Sequence, residues 1–215
     1  AAIGLNNTSY IYDVLAGKEV AKRVHDRAIN LVIFSPSGDR IAAVKGNITE
    51  IWDASDGKEL ARLEHDGSVN SVAFSADASR VITASDDRTA RIWDVSTGRE
   101  LRRMKHDDTV TSAAISPDGT KIATASSYIA CVWDASSGRV LARMMNDDEI
   151  SSVAFTIDGR HLVTGSCKTA TTWIWSTQDL IAEACSSLPS KNLTQEEWHQ
   201  YLGERPYHNT CGCCD

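Results

Sequence analysis

A repeat of about 40 residues limits what this chain can fold into more than any other feature. Trp52, Trp93, Trp133 and Trp175 are spaced by 41, 40 and 42 residues, and Tyr12 lies 40 before Trp52. Each of the first three Trp precedes an Asp (Asp53, Asp94, Asp134), as Tyr12 precedes Asp13. His25, His65 and His106 recur at 40 and 41, Asn146 takes the next slot, and Phe34, Phe74, Ile115 and Phe155 keep the same step. Within the period 64–94, alternating runs starting at Val69, Val81 and Thr89 are separated by turn-forming residues. A fourth run, 100–104, follows the Thr97-Gly98 turn. Four short strands make one antiparallel sheet, too small to bury its faces alone, so the sheets must stack on one another.

A 40-residue unit of four strands with a Trp-Asp pair resembles the blade of a WD-repeat β-propeller, and the resemblance covers roughly residues 1–178. It implies an all-β fold of four-stranded antiparallel blades, followed by a short helical tail over 179–215. Residues 1–24 align with 41–64, so the chain is expected to begin at the second strand of a blade. After Trp175 no Gly turn and fourth strand follow, which leaves about five blades. Propellers of this family most often have seven blades, about 290 residues at this period. The expected structure is therefore an incomplete ring, its remaining blades supplied by upstream sequence or by another chain.

Composition narrows the function classes. A net charge of −7 disfavours a nucleic-acid surface. No apolar run approaches the ~18 residues of a membrane span. The cluster Arg99, Arg102, Arg103 and Lys105 reads as a solvated outer strand. The opening AAIGLNNTSY carries no charged-then-apolar leader, so the expectation is cytoplasmic, with Cys131, Cys167 and Cys185 as free thiols. The sequons at Asn7, Asn47 and Asn192 then read as chance.

The resemblance also carries residue roles. A His before the first strand, a Ser or Thr in the second, an Asp in the following turn and a Trp in the third form a buried hydrogen-bonded tetrad. The matching residues are His65, Ser85, Asp87 and Trp93. The logic is sound without the family, because a buried imidazole and a buried indole both need partners. A catalytic-triad reading of the same residues fails on placement, since the Ser would face an indole inside a sheet. The other blades depart: the turn Asp is missing from VKGNITEIW and SSYIACVW, and Asn146 replaces His in the last. Different turns between second and third strands are expected there.

The recurring partner-contact positions of the family fall on Asn30, Asn70, Thr111 and Ser151, with Asp86 before the turn Asp and Ser127 and Cys167 loosely matched. The leading expectation is a non-catalytic protein-interaction platform with no cofactor. The alternatives are a permanent structural subunit and a propeller-based enzyme; no Gly-rich phosphate loop, HExxH or GxSxG motif is present. In the tail, Leu180, Ile181, Ala184 and Leu188 recur at helical spacing up to Pro189, and Thr194 with Glu197 makes a capping box. The stretch NLTQEEWHQYLGERPYHNTC resembles the tail that closes propellers of large bacterial proteins carrying STAND-type, caspase-like, TIR or kinase modules. His208, Cys211, Cys213 and Cys214 are soft ligands, but adjacent Cys213 and Cys214 do not easily reach one tetrahedral ion. No metal is therefore expected.

Overall fold

Short runs of β-branched and aromatic residues, broken by Gly, Asn, Asp and Ser, commit this chain to brief strands and tight turns. The computed structural model describes residues 2–13, 16–176, 178–181 and 183. Five antiparallel sheets follow one another along the chain. The first holds β1 (Ala2–Leu5), β2 (Thr8–Asp13) and β3 (Lys18–Val24). The second holds β4 (Leu31–Phe34), β5 (Arg40–Lys45), β6 (Ile48–Asp53) and β7 (Glu59–Glu64). The third holds β8 (Val69–Phe74), β9 (Arg80–Ser85), β10 (Thr89–Asp94) and β11 (Glu100–Lys105). The fourth holds β12 (Ser112–Ile115), β13 (Lys121–Ser126), β14 (Ile129–Asp134) and β15 (Val140–Met145). The fifth holds β16 (Ile150–Phe155), β17 (His161–Ser166) and β18 (Ala170–Ile174). Strands pair in chain order within each sheet, and the fifth sheet does not pair back onto the first. The result is an open arc, an incomplete propeller, as the period predicts.

The second, third and fourth sheets each turn their Trp face to the sheet before. Trp52, Ile41 and Ala43 pack with Ile11 of the first sheet. Trp93 and Val81 share a buried cluster with Ala42, Val44 and Ile51, and Trp133 and Ile122 with Ile82, Ala84 and Ile92. Small residues on one face leave room for the indole of the next, which is how interiors reach close packing.

Backbone hydrogen bonds repeat at every junction. The turn between the second and third strands of one sheet accepts two amides from the segment that enters the next. His25, His65, His106 and Asn146 donate to Asn7, Asn47, Arg88 and Tyr128 at 2.7, 2.9, 2.9 and 2.8 Å. Ile29, Val69, Val110 and Ile150 donate to Asn6, Gly46, Ser85 and Ser127 at 2.6, 2.8, 3.1 and 2.8 Å. Arginines add stitches: Arg23 to the Gly57 carbonyl (2.7 Å), Arg40 to Ala78 (2.6 Å) and Arg102 to Ser136 (2.8 Å). Arg102 is thus a bridge between sheets as well as an outer-strand cation.

The turns differ as expected. Asn6-Asn7, Gly46-Asn47 and Ser127-Tyr128 are two-residue connections, entered at φ of 54°, 60° and 50°. The third sheet uses Asp86-Asp87-Arg88, with Arg88 at 64°. The extra residue is what brings Asp87 into the sheet's polar network.

By contacts the chain divides into Ala1–Trp173 and Ile174–Asp215. In the second unit residues 178–181 and 183 are helical, with the Leu180 amide donating to the Ser176 carbonyl at 2.9 Å. No helix among the described residues is long and apolar enough to cross a membrane.

Candidate functional site

Two polar constellations stand out, one inside the sheets and one on a rim. The buried one centres on His65. Its Nδ1 donates to the Asp87 carboxylate (2.8 Å), and its Nε2 accepts from Thr83 Oγ1 (2.6 Å). Thr83 Oγ1 in turn accepts the Trp93 indole N–H at 2.8 Å. A carboxylate only accepts, so His65 Nδ1 carries a proton. Burial pushes the His65 pKa down, which favours the neutral ring in which Nε2 accepts from Thr83. Asp87 also accepts from Thr89 Oγ1 (2.6 Å) and the buried Arg91 guanidinium (2.6 Å). Burial opposes its ionisation, yet the hydrogen bonds from Thr89 and His65 hold its pKa down to about 2.

This corrects one member of the expected tetrad: the bridging hydroxyl is Thr83, not Ser85. Trp93 pairs with Val81, so Thr83 is its diagonal cross-strand neighbour, within reach of the indole. Ser85 lies ~13 Å along the strand from Val81. Its hydroxyl donates to the Gly67 carbonyl (3.0 Å) and accepts from the Asp87 amide (3.1 Å), bracing the turn.

The other sheets hold parts of this relay. Trp133 donates to Thr124 (2.8 Å), and Trp173 to Thr164 (2.9 Å). Trp173, not Trp175, therefore fills the repeat slot of the fifth sheet. In the fourth sheet His106 Nε2 has no partner among the described residues. Burial, and then the charge of Arg143, push its pKa down to about 4. In the second sheet Ala43 stands where the third, fourth and fifth have Thr, and the Trp52 indole N–H has no acceptor among the described residues. His25 instead stacks on Trp52 (4.8 Å, 28°), contacts Ser9 Oγ of the preceding sheet (3.0 Å) and donates to Glu50 (3.2 Å). Glu50 is neutralised by Lys45 at 2.6 Å, both deeply buried.

The rim constellation has a backbone cause. In β8 and β16 the register slips at Asn70 and Ser151, so that Asn70 with Ser71 opposes Ala84, and Ser151 with Ser152 opposes Gly165. At the mouths of β4 and β12, the Asn30 and Thr111 amides donate to Val44 and Ala125, which already pair with Leu31 and Ser112. Asn70 and Ser151 are thus the extra residue of a bulge, which re-aims a side chain out of the pleat, and Asn30 and Thr111 hold the equivalent position just before β4 and β12.

Asn70, Asp86, Thr111 and Ser151 line one depression of about 500 Å³, together with Thr109, Glu149, Ile150 and Cys167. Asn30 does not line it; its Oδ1 accepts from the Gly46 amide at 2.9 Å. Ser127 is likewise outside, donating to Asp108 at 2.5 Å. Asn70 donates to Asp86 (2.7 Å) and to the Val110 carbonyl of the next sheet (3.1 Å). Thr111 donates to the Ile150 carbonyl of the sheet after that (2.9 Å). These two side chains therefore also stitch neighbouring sheets. Glu149 carried no repeat signal in the sequence, because the preceding blades have Ser68 and Thr109 at that position. No group of three or more potential metal ligands occurs among the described residues. His208, Cys211, Cys213 and Cys214 lie outside them, as do Cys185, Asn192 and the capping box at Thr194 and Glu197.

Against known families, the model described as "WD domain, G-beta repeat" matches three times, over residues 57–94, 98–134 and 139–176. Together these spans exceed half of the chain. No curated protein matches it.

Two predictions follow from the relays. Thr83→Val should lower stability by about 2–3 kcal/mol, since it strands both a buried indole and a buried imidazole. Ser85→Ala should cost less, and Ala43→Ser should raise stability by about 1 kcal/mol by giving Trp52 an acceptor. Urea midpoints read all three, and equal losses for Thr83→Val and Ser85→Ala would refute the assignment. The pH dependence has two windows, because both groups have depressed folded pKa values. Each contributes stability above its unfolded pKa and loses it as pH falls toward the folded one. His106 acts from its ordinary 6.5 down to about 4, and Asp87 from 3.8 down to about 2. His106→Asn should reduce the slope in the upper window, to which the depressed His25 and His65 also contribute, and Asp87→Asn should reduce it in the lower one, in urea midpoints across acidic pH.

Proposed function

The chain belongs to the WD-repeat family, and from that premise we propose that it is a non-catalytic platform that seats a protein partner on the rim depression. Members of this family generally act as protein-interaction scaffolds. The observation that carries the reading is convergence: Asn70 and Asp86, Thr111, and Ser151 come from three successive sheets onto one concave surface. Asn30, at the equivalent position one sheet earlier, extends the candidate surface. His25 and His65 support a non-catalytic role, because both ring nitrogens of each are taken by structural neighbours.

The finer context we propose is the sensor or scaffold part of a larger bacterial signalling or defence protein in the cytoplasm. Its support is the resemblance of residues 192–211 to the tails of such proteins. A permanent structural role is the second reading, favoured by the open face of the fifth sheet. Ala170 and Thr172 are exposed there, whereas Ala130 and Val132, and Ala90 and Ile92, are buried at the same positions of the preceding sheets. A further blade or another chain covering that face would make the association permanent.

Ser151→Trp tests the platform reading, because Ser151 is exposed and bonds only within its own sheet, to the Gly165 carbonyl at 3.1 Å. In co-purification at endogenous levels, the variant should lose its specific partner while its urea midpoint moves by less than about 0.5 kcal/mol. Retention of that partner by Ser151→Trp, with loss on Arg103→Ala, would place binding on the outer strand and refute the rim.

A further inference from the structure

Charge is sorted between the two edges of the sheets. The outer strands β11 and β15 carry Arg102, Arg103, Lys105 and Arg143 against one acidic residue, Glu100, with Arg99 and Arg139 just before them. The segments that lead into the inner strands are acidic instead, with Asp107 and Asp108 before β12 and Asp147, Asp148 and Glu149 before β16. The depression opens among these segments. Its only charged lining groups are Asp86 and Glu149, both exposed. The remaining polar lining offers the hydroxyls of Thr109, Thr111 and Ser151 and the amide of Asn70. Cations do occur nearby. Lys168 sits 3.8 Å from Asp148, with its side chain 78% exposed, and Arg88 lies close enough to Asp108 to hold its carboxyl below the usual range, after the hydrogen bonds from Ser127 and Thr109. Neither of these cations lines the depression.

We propose that the depression receives an arginine or lysine side chain from a basic segment of the partner protein. The inference rests on the platform reading and adds the partner's chemistry to it. The cavity supplies the shape, and charge complementarity selects the occupant. Asp86 and Glu149 come from the turn of the third sheet and the lead-in to the fifth, so the lining draws its two carboxylates from separate sheets. A guanidinium or ammonium group only donates hydrogen bonds, and a wall of carboxylates and hydroxyl oxygens accepts them. An acidic segment would meet like charge from both carboxylates and be turned away. The surrounding aspartates make the local potential more negative and speed encounter with a cationic chain.

Fluorescence anisotropy on the full 215-residue chain tests this, using labelled peptides of equal length that are arginine-rich, lysine-rich, neutral or glutamate-rich. One or both cationic peptides should bind, more weakly as salt rises. Asp86→Asn combined with Glu149→Gln should weaken that binding about tenfold, and outer-strand Glu19→Gln should leave it unchanged. Both rim changes are exposed and isosteric, and Ser151→Trp blocks the same depression by bulk. Neutral or acidic peptides that bind as well as cationic ones, and are lost with Ser151→Trp, would overturn the basic partner and leave the platform standing. Cationic binding that survives both the charge changes and Ser151→Trp would overturn the two together. No binding by any peptide would overturn the proposal.

Discussion

The junction between successive sheets is the constraint on which the rest of this molecule depends. A four-stranded sheet of six-residue strands has two faces and no interior of its own. Here Trp52, Trp93 and Trp133 close on the apolar face of the sheet before, and two backbone hydrogen bonds tie each entering segment to the preceding turn. Stability in such an array is largely a sum of nearest-neighbour terms. The polar relays sit inside these junctions, where an unmet hydrogen bond is costly. Only the third sheet completes the relay, through Thr83, His65 and Asp87. The second sheet lacks the hydroxyl and recruits Ser9 from across the junction for His25.

The same junctions shape the candidate functional surface. One position recurs at the mouth of each inner strand, as the extra residue of a bulge in β8 and β16 and as the residue just before β4 and β12. Asn70 and Thr111 use that position to reach a carbonyl of the next sheet. Their side chains thus stitch the arc and line its rim at once, so a substitution there mixes stability with binding. Ser151 and Glu149 separate the two, since neither reaches a neighbouring sheet through a hydrogen bond in the described structure.

Much of this was legible in the sequence, and the misses have physical causes. The 40-residue period located the sheets, the His slots and the bulge residues, because each is one position in a unit that stacks on itself. It did not separate Ser85 from Thr83. Both point to the same face of β9, and only the pairing of Trp93 with Val81 shows which one the indole reaches. Trp173 and Trp175 lie 40 and 42 residues after Trp133, and neither precedes an Asp, so the repeat left both within reach of the slot, and the hydrogen bond to Thr164 selects Trp173. The Trp52 N–H with no acceptor among the described residues was written in Ala43, but reading it there requires the register of β5 against β6. The missing turn Asp, by contrast, was visible as a one-residue difference in length and correctly marked where the turns change.

A double-mutant cycle across one junction measures the central claim, that the fold is held by sheet-on-sheet contact. Ile51 of the second sheet and Trp93 of the third belong to one buried cluster. Urea unfolding of Ile51→Ala, Trp93→Phe and the double variant should show a coupling of about 1 kcal/mol, within the range found for residues packed together. Additivity to within about 0.3 kcal/mol would mean that the two sheets stand independently, and would contradict this account.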